Sequence, residues 1–208
     1  MRILNVGVLV SGNGTNLQSI IDKSETGELP ARVVVVISNK PDAYALQRAK
    51  NHSIPSYVVR PRDFVDQVSY EQKMIDILNT HKVELVVLAG FMKILSSHFV
   101  QAFRGRIINI HPSLIPSFCG KDFYGIKVHQ AVIDYGVKVT GATVHFVDEN
   151  VDAGPIIIQR TVEVKDSDTA ETIALKVHQI EHEILSEAIT LFAQGRLKIV
   201  GRRVLVEE

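Results

Sequence analysis

Two stretches of this 208-residue chain are apolar almost without a break: ARVVVVIS, Ala31 to Ser38, and VELVVLAG, Val83 to Gly90. Both have the length of a strand. A strand that is apolar on both sides must be covered on both faces, which is the signature of a parallel sheet layered with helices. Shorter β-rich runs lie around them: NVGVLV (Asn5 to Val10), SYVV (Ser56 to Val59) and RIINI (Arg106 to Ile110). Helical patterns fall in between. Leu17, Ile20 and Ile21 share one face, Ala45, Leu46 and Ala49 a second, and Tyr70, Met74, Ile77 and Leu78 a third that runs to His81. A fourth helix is expected to start at Ser96, a good N-cap. Such alternation predicts βαβ units with right-handed crossovers.

After Pro116 the rhythm changes. SFCGKDFYG reads as a loop, and a helix is expected from Ile126 to Tyr135, ended by Gly136. TGATVHFVD and GPIIIQRTVEV are partly alternating strands joined by ENVDA, which predicts an antiparallel pair. Asp168 with Glu171 reads as a capping box opening the longest helix. Ile173, Val177, Ile180, Ile184, Ala188, Leu191 and Phe192 form its apolar stripe, and Gly195 stops it. The tail RLKIVGRRVLVEE reads as a peripheral hairpin. The expected fold class is α/β: a Rossmann-like open twisted sheet, parallel in the N-terminal half with antiparallel strands in the C-terminal half, and helices on both faces. With no repeat and no linker, one domain over 1–208 is expected.

Composition narrows the function. Twenty-three basic residues balance 23 acidic ones, so no basic footprint for nucleic acid exists at the level of the whole chain. No run approaches the ~18 apolar residues that span a bilayer, and the N-terminus lacks a signal-peptide pattern. Cys119 is the single cysteine, which leaves no internal disulfide and no multi-cysteine metal site. The expected setting is cytoplasmic, with small-molecule substrates and neither nucleic acid nor membrane as partner.

Three clusters carry polar groups where strands end. The first is SGNGTN, Ser11 to Asn16, between the first strand and the first helix. Two glycines let the backbone approach a ligand, and the helix behind offers free N–H groups at a positive dipole end. Gly12, Asn13, Gly14, Thr15 and Asn16 are therefore candidates to hold a phosphate. The spacing excludes the dinucleotide fingerprint, because Leu17 stands where its third glycine belongs, and no Walker loop follows. The bland alternative is a glycine-rich turn with no ligand.

The second cluster is RIINIHPSLIP, where Asn109 and His111 end a buried strand. Two residues apart, they share one side, and an amide beside an imidazole suits a developing oxyanion. Alternatively Asn109 caps the turn and His111 is a satisfied core histidine. The third is ENVDAGP, in which Asp152 is ordinary turn chemistry unless something pairs with it.

Together, SGNGTNLQ, LAGFMKILS, NIHPSLIPSF and TVHFVDENVDAGPII resemble, in that order and over nearly the whole chain, the folate-dependent phosphoribosylglycinamide formyltransferases of purine biosynthesis. The resemblance implies a formyltransferase fold with a nucleotide- and phosphate-binding half, 1–110, and a folate-binding, completing half, 111–208. It implies transfer of the formyl group of 10-formyltetrahydrofolate, as co-substrate, to the primary amine of glycinamide ribonucleotide through a tetrahedral intermediate, without metal. Asn109 would donate to the oxyanion, His111, if protonated, would stabilise the same charge, and Asp152 would pair with His111 and assist proton transfer, directly or through water. Gly14, Thr15 and Asn16 match the phosphate cradle, and Glu181 a carboxylate that contacts the ribonucleotide. Met92, Lys93, Ile94 and Leu95 would wall the folate pocket, with Val147 and Asp148 on its other side.

The chain departs from some relatives at Gln67, where they carry a phosphate-contacting Arg. The loop from Cys119 to Tyr124 is longer than in some, and its Phe123 and Tyr124 either cover the site or pack on the helix behind. Formyltetrahydrofolate deformylase and other formyl-folate-dependent amine formyltransferases share the core motifs. HQIEH, His178 to His182, also fits an inverted zinc-hydrolase signature, though no third ligand is evident. Sequence leaves monomer and homodimer open.

Overall fold

The computed structural model describes residues 2–207, which divide into two compact units meeting in sequence between Ile108 and Asn109. In the first unit β1 (Leu4–Val10), β2 (Ala31–Ser38), β3 (Ser56–Val58) and β4 (Leu85–Leu88) are ordered β3-β2-β1-β4 and pair in parallel throughout. Helices α1 (Thr15–Glu25), α2 (Tyr44–Asn51), α3 (Gln67–Thr80) and α4 (Ser97–Ala102) connect them, with a short 3-10 turn at Pro61–Asp63. The continuous valine runs are explained by burial: Val35, Val36, Ile37, Val86 and Val87 are all fully enclosed. Each such side chain contributes ~1.5–3 kcal/mol relative to exposure. The chain leaves β1 toward β2 and β3 on one side and returns to place β4 on the other. That reversal is the topological switch where ligands enter open α/β sheets, and the loops after β1 and β4 both emerge there.

β5 (Ile107–His111) closes the first unit with Ile107 and Ile108 and carries Asn109, Ile110 and His111 into the second. There β6 (Val139–Phe146), β7 (Ile156–Glu163), β8 (Leu197–Val200) and β9 (Arg203–Val206) follow in the order β6-β7-β9-β8. β6 with β7 and β8 with β9 are antiparallel, and β7 meets β9 in parallel. Helices α5 (Ile126–Tyr135) and α6 (Ala170–Ala193) pack on one another, and α6 packs on β6 and β7. The fold is thus the mixed α/β architecture expected, parallel early and antiparallel late.

Two details of α6 differ from expectation. Its N-cap is Thr169, whose hydroxyl accepts from Thr172 N while the Thr172 hydroxyl accepts from Thr169 N. Asp168 is unavailable as cap because both its oxygens bind Lys176 Nζ, at 2.6 and 2.8 Å. The buried stripe also turns further than predicted. Leu185 and Ile189 are buried and Ile180 only half-buried, so Glu181 lies on the enclosed face at 4% exposure.

Candidate active site

In the second unit, the end of β5 alternates its side chains, so that Ile110 is buried on one side while Asn109 and His111 point together to the other. Asn109 Nδ2 donates to His145 Nε2 at 3.1 Å, and His145 Nδ1 donates to the Phe146 carbonyl at 2.9 Å. A carbonyl only accepts, so the His145 proton sits on Nδ1 and its Nε2 lone pair receives the amide. Burial pushes His145 below the ordinary imidazole range, which suits this neutral form; its bond to Phe146 and the nearby Asp152 charge oppose the shift. Having given one hydrogen to His145, the Asn109 amide retains a second.

His111 is 5% exposed and donates Nε2–H to the Phe118 carbonyl at 2.9 Å. Its other ring nitrogen, Nδ1, faces Asp152 Oδ2 at 3.7 Å. Asp152 Oδ1 lies 3.8 Å from His145 Nε2. Both gaps are too long for direct hydrogen bonds. The carboxylate is instead held by the backbone N–H of Gly120, 2.8 Å from Oδ2.

The loop of residues 147–155 delivers Asp152 by close backbone contact. A Cβ on Gly154 would stand 1.8 Å from the Phe146 carbonyl oxygen, so only glycine fits where the chain folds back. Asp152 itself has φ +51, a left-handed conformation that Asp tolerates better than most residues. The loop after His111 is braced from β6 and β7. The Thr143 hydroxyl donates to Ser113 O at 2.6 Å and accepts from Ile115 N at 3.1 Å, and Gln159 Nε2 donates to Ile115 O at 2.9 Å. Phe123 packs edge-on against Phe118, which packs on Tyr135 at the end of α5. Tyr124 stays exposed, its hydroxyl bound by Lys127 of the same helix. Cys119 borders the cluster, and burial together with the Asp152 charge pushes its thiol up.

Asn109, His111 and Asp152 therefore converge, and His145 completes the group. Sequence reading passed over His145 as one residue of an apolar strand. Its signal was a histidine buried in TVHFVD, just before the acidic loop. Glu181 lies on the enclosed face of α6, with His178 Nε2 3.7 Å from its Oε2. Val147 and Asp148 are half-buried at the start of the loop that carries Asp152.

In the first unit, α1 starts at Gly14, which has φ +75 and provides no side-chain cap. No acidic residue occupies the first turn of α1. A Cβ at Gly14 would meet Ala45 Cβ at 2.6 Å, so α2 and the loop touch only because residue 14 is glycine. α2 holds the loop closely: Ala45 N donates to Gly12 O at 3.1 Å, and Arg48 donates to Asn13 O and Asn13 Oδ1 at 2.8 and 2.9 Å. Ser11, Gly12 and Asn13 line an open cleft of about 620 Å³ with Lys40, Tyr44 and Arg48. Met92, Lys93 and Ile94 are exposed after β4 while Leu95 is buried. Gln67 donates to Glu71 and to Ile94 O, at 2.9 and 3.2 Å, and the enclosed Glu71 carboxylate accepts from both the backbone and hydroxyl of Ser96. Gln67 thus fastens the exposed 92–95 segment. Among the described residues no group of three or more His, Cys, Asp or Glu is arranged to hold a metal, and no helix is long and apolar enough to cross a membrane.

The family described as formyl transferase matches residues 4–189. The phosphoribosylglycinamide formyltransferase of Haemophilus influenzae is 42% identical over 194 residues, covering 93% of this chain and 89% of that one. The Bacillus subtilis protein of the same name is 41% identical over 85% of this chain and 88% of its own. The crystal structure of glycinamide ribonucleotide transformylase 1 from Symbiobacterium toebii superposes with a TM-score of 0.94 at 42% identity, covering 99% of this chain and 95% of that one.

Proposed function

The chain belongs to the formyl transferase family, and from that premise we propose how its residues carry out phosphoribosylglycinamide formyl transfer. The reaction moves a formyl group from 10-formyltetrahydrofolate to the primary amine of glycinamide ribonucleotide. The amine attacks the formyl carbon, a C–N bond forms, and the carbonyl oxygen takes negative charge. Collapse breaks the bond to the folate nitrogen N10, and the proton lost by the amine is matched by one gained at N10.

The supporting observation is the convergence of Asn109, His111 and Asp152 at the end of β5, with His145 behind them. The second hydrogen of the Asn109 amide serves the oxyanion, since His145 fixes the amide and accepts only the first. Fixed donors of this kind gain strength where water is excluded. His111, if protonated, would stabilise the charge on the same oxygen, with its Nδ1 facing Asp152. Direct donation from His111 Nε2 requires the Phe118 carbonyl to release it. Asp152, held by Gly120 N–H, pairs with His111 and assists proton transfer from the attacking amine, directly or through one water.

Gly12 to Asn16 hold the ribonucleotide phosphate through backbone N–H groups and the Thr15 and Asn16 side chains, and Glu181 receives the ribose. Gln67 is turned to Glu71 and Ile94, so it does not replace a phosphate-binding Arg; Lys40 and Arg48, at the cleft beside the loop, supply positive charge there. Met92 to Leu95, with Val147 and Asp148, receive the folate. We read residues 1–208 as one formyltransferase domain acting in the cytoplasm on small molecules, as monomer or homodimer. The test is a single assay of purified protein with 10-formyltetrahydrofolate and, as acceptor, glycinamide ribonucleotide, water or other amines. Formylated ribonucleotide is expected. Formate released at the same rate with no ribonucleotide present would assign the deformylase reaction instead.

A further inference from the structure

We propose that Ser11 is a positioning residue that couples the two substrate subsites, so that binding at the loop after β1 tightens binding at the loop after β4. The inference rests on the reading above for what each loop binds. Its structural basis is one hydroxyl. Ser11 is 4% exposed and stands one residue past the end of β1. Its Oγ accepts the backbone N–H of Met92 at 2.7 Å and donates its own proton to Asn39 Oδ1 at 2.6 Å. Its backbone N–H donates to Gly90 O at 3.1 Å. The pairing of β1 with β4, which ends in register at Leu9 and Leu88, is therefore continued by Ser11 into the segment that bears the folate-wall residues.

Each of the joined loops is anchored elsewhere. The 11–14 segment is held to α2 by Gly12 and Asn13. The far end of 90–96 is held to α3 by Glu71 and Gln67. Ser11 lies between these anchors, and the hydroxyl can serve Met92 and Asn39 together only when the peptide at Met92 and the start of the phosphate loop hold one relative position. A phosphate bound to the N–H groups beyond Gly12 fixes that position. It thereby fixes the Met92 peptide and the backbone of Lys93 to Leu95, which the folate meets. Linkage makes the effect reciprocal. Asn39, 8% exposed, directs the hydroxyl proton and leaves the oxygen free for Met92.

The measurement is equilibrium binding of a pair that cannot react: glycinamide ribonucleotide with tetrahydrofolate, which has no formyl group to give. The dissociation constant of each is measured alone and with the other saturating. For the unaltered protein the ratio should be roughly fivefold or more in favour of the ternary complex, and equal from both directions, within the usual range of coupled sites. In Ser11→Ala it should fall below about twofold, whatever happens to the binary constants. A merely structural serine would change stability and the binary constants while leaving the ratio intact, and that result overturns the proposal. So does a ratio near one in the unaltered protein. Asn39→Ala, which keeps the Ser11–Met92 contact but removes the acceptor, should give an intermediate ratio. It decides the matter if Ser11→Ala does not fold, an unaltered ratio again being fatal. Failure of the unaltered protein to bind either ligand would instead overturn the functional reading on which the coupling rests.

Discussion

The two units present polar groups at strand ends in opposite ways. After β1 the side chains hold the backbone of the loop: Arg48 grips Asn13, and Ser11 bridges Asn39 and Met92. After β5 and β6 the backbone holds the side chains: Phe118 O takes His111, Phe146 O orients His145, and Gly120 N–H binds Asp152. A site made of backbone N–H groups suits a permanent anion, because its donors never titrate. A site made of imidazole, amide and carboxylate suits a reaction, because its members can carry, lend or stabilise charge. Substitutions should therefore separate the two, with losses of turnover in the second unit and losses of affinity in the first.

The largest effect should follow Asp152→Asn. It keeps shape and the Gly120 contact but loses the charge facing His111 and the capacity to take a proton. Turnover should fall by about 10²–10⁴, the usual scale of general acid–base catalysis, with folate KM much less changed. Steady-state kinetics at saturating ribonucleotide are decisive. A mutant within a few-fold of normal turnover would remove Asp152 from the chemistry.

Next is the pH response of stability, to which a buried histidine of the second unit contributes. His129 on α5 is 2% exposed, and its Nδ1 has no hydrogen-bond partner. Burial first, then the neighbouring His178 and His111, lower its pKa from 6.5 to about 4. The unfolded chain thus binds the proton more readily, and stability rises with pH through this window. The contribution is complete above about 6.5 and lost as pH falls toward 4. A shift of this size corresponds to on the order of 3 kcal/mol. Urea unfolding of His129→Leu should show a visibly flatter decline between pH 6.5 and pH 4. The slope does not vanish, because His145 and His178 are also lowered by burial. An unchanged slope would show that His129 is not held neutral by its surroundings.

Two glycines sharpen the contrast. Gly154→Ala forces a Cβ to within 1.8 Å of the Phe146 carbonyl and must shift the loop that carries Asp152. Gly14→Ala forces one to 2.6 Å from Ala45 at a positive φ and must shift the loop proposed to hold the phosphate. Both should cost about 1–3 kcal/mol of stability. The first should register mainly in kcat and the second mainly in ribonucleotide KM. Equal effects on both parameters in both mutants would erase the division of labour.

How much of this the sequence disclosed follows the same division. The valine runs of β2 and β4 announced a buried parallel sheet, because burial on both faces leaves few alternatives. Asn109 and His111 were visible as polar residues ending an apolar strand, and Gly14 as a turn that needs glycine. Asp152 was legible only through its family motif, since a left-handed acidic residue in a loop looks like any other turn. His145 was hidden because a histidine within an apolar strand is usually a core residue, and its role appears only through the amide it orients. The bridge from Ser11 to Asn39 and Met92 spans 81 positions of sequence at its longer arm, a distance no local pattern carries. The misread cap of α6 was local instead: Lys176, two turns on, takes the Asp168 carboxylate that the capping pattern assigned to the helix end.

The smallest effect, and the finest probe of the first unit, should come from Thr15→Ala. Thr15 is the first residue of α1 and half-buried. The substitution removes one hydroxyl from the proposed phosphate cradle and leaves every backbone N–H in place. If the backbone carries most of the anion binding, the loss is that of a single hydrogen bond to a charged group, about 1.5 kcal/mol or roughly tenfold in ribonucleotide KM. Turnover at saturation should be unchanged, because the contact is equal in ground and transition states. A defect confined to kcat would mean that the cradle feels the transition state and is not simply a handle. A loss of several hundredfold in KM would mean that the hydroxyl outweighs the helix N-terminus and that the first unit, like the second, binds through its side chains.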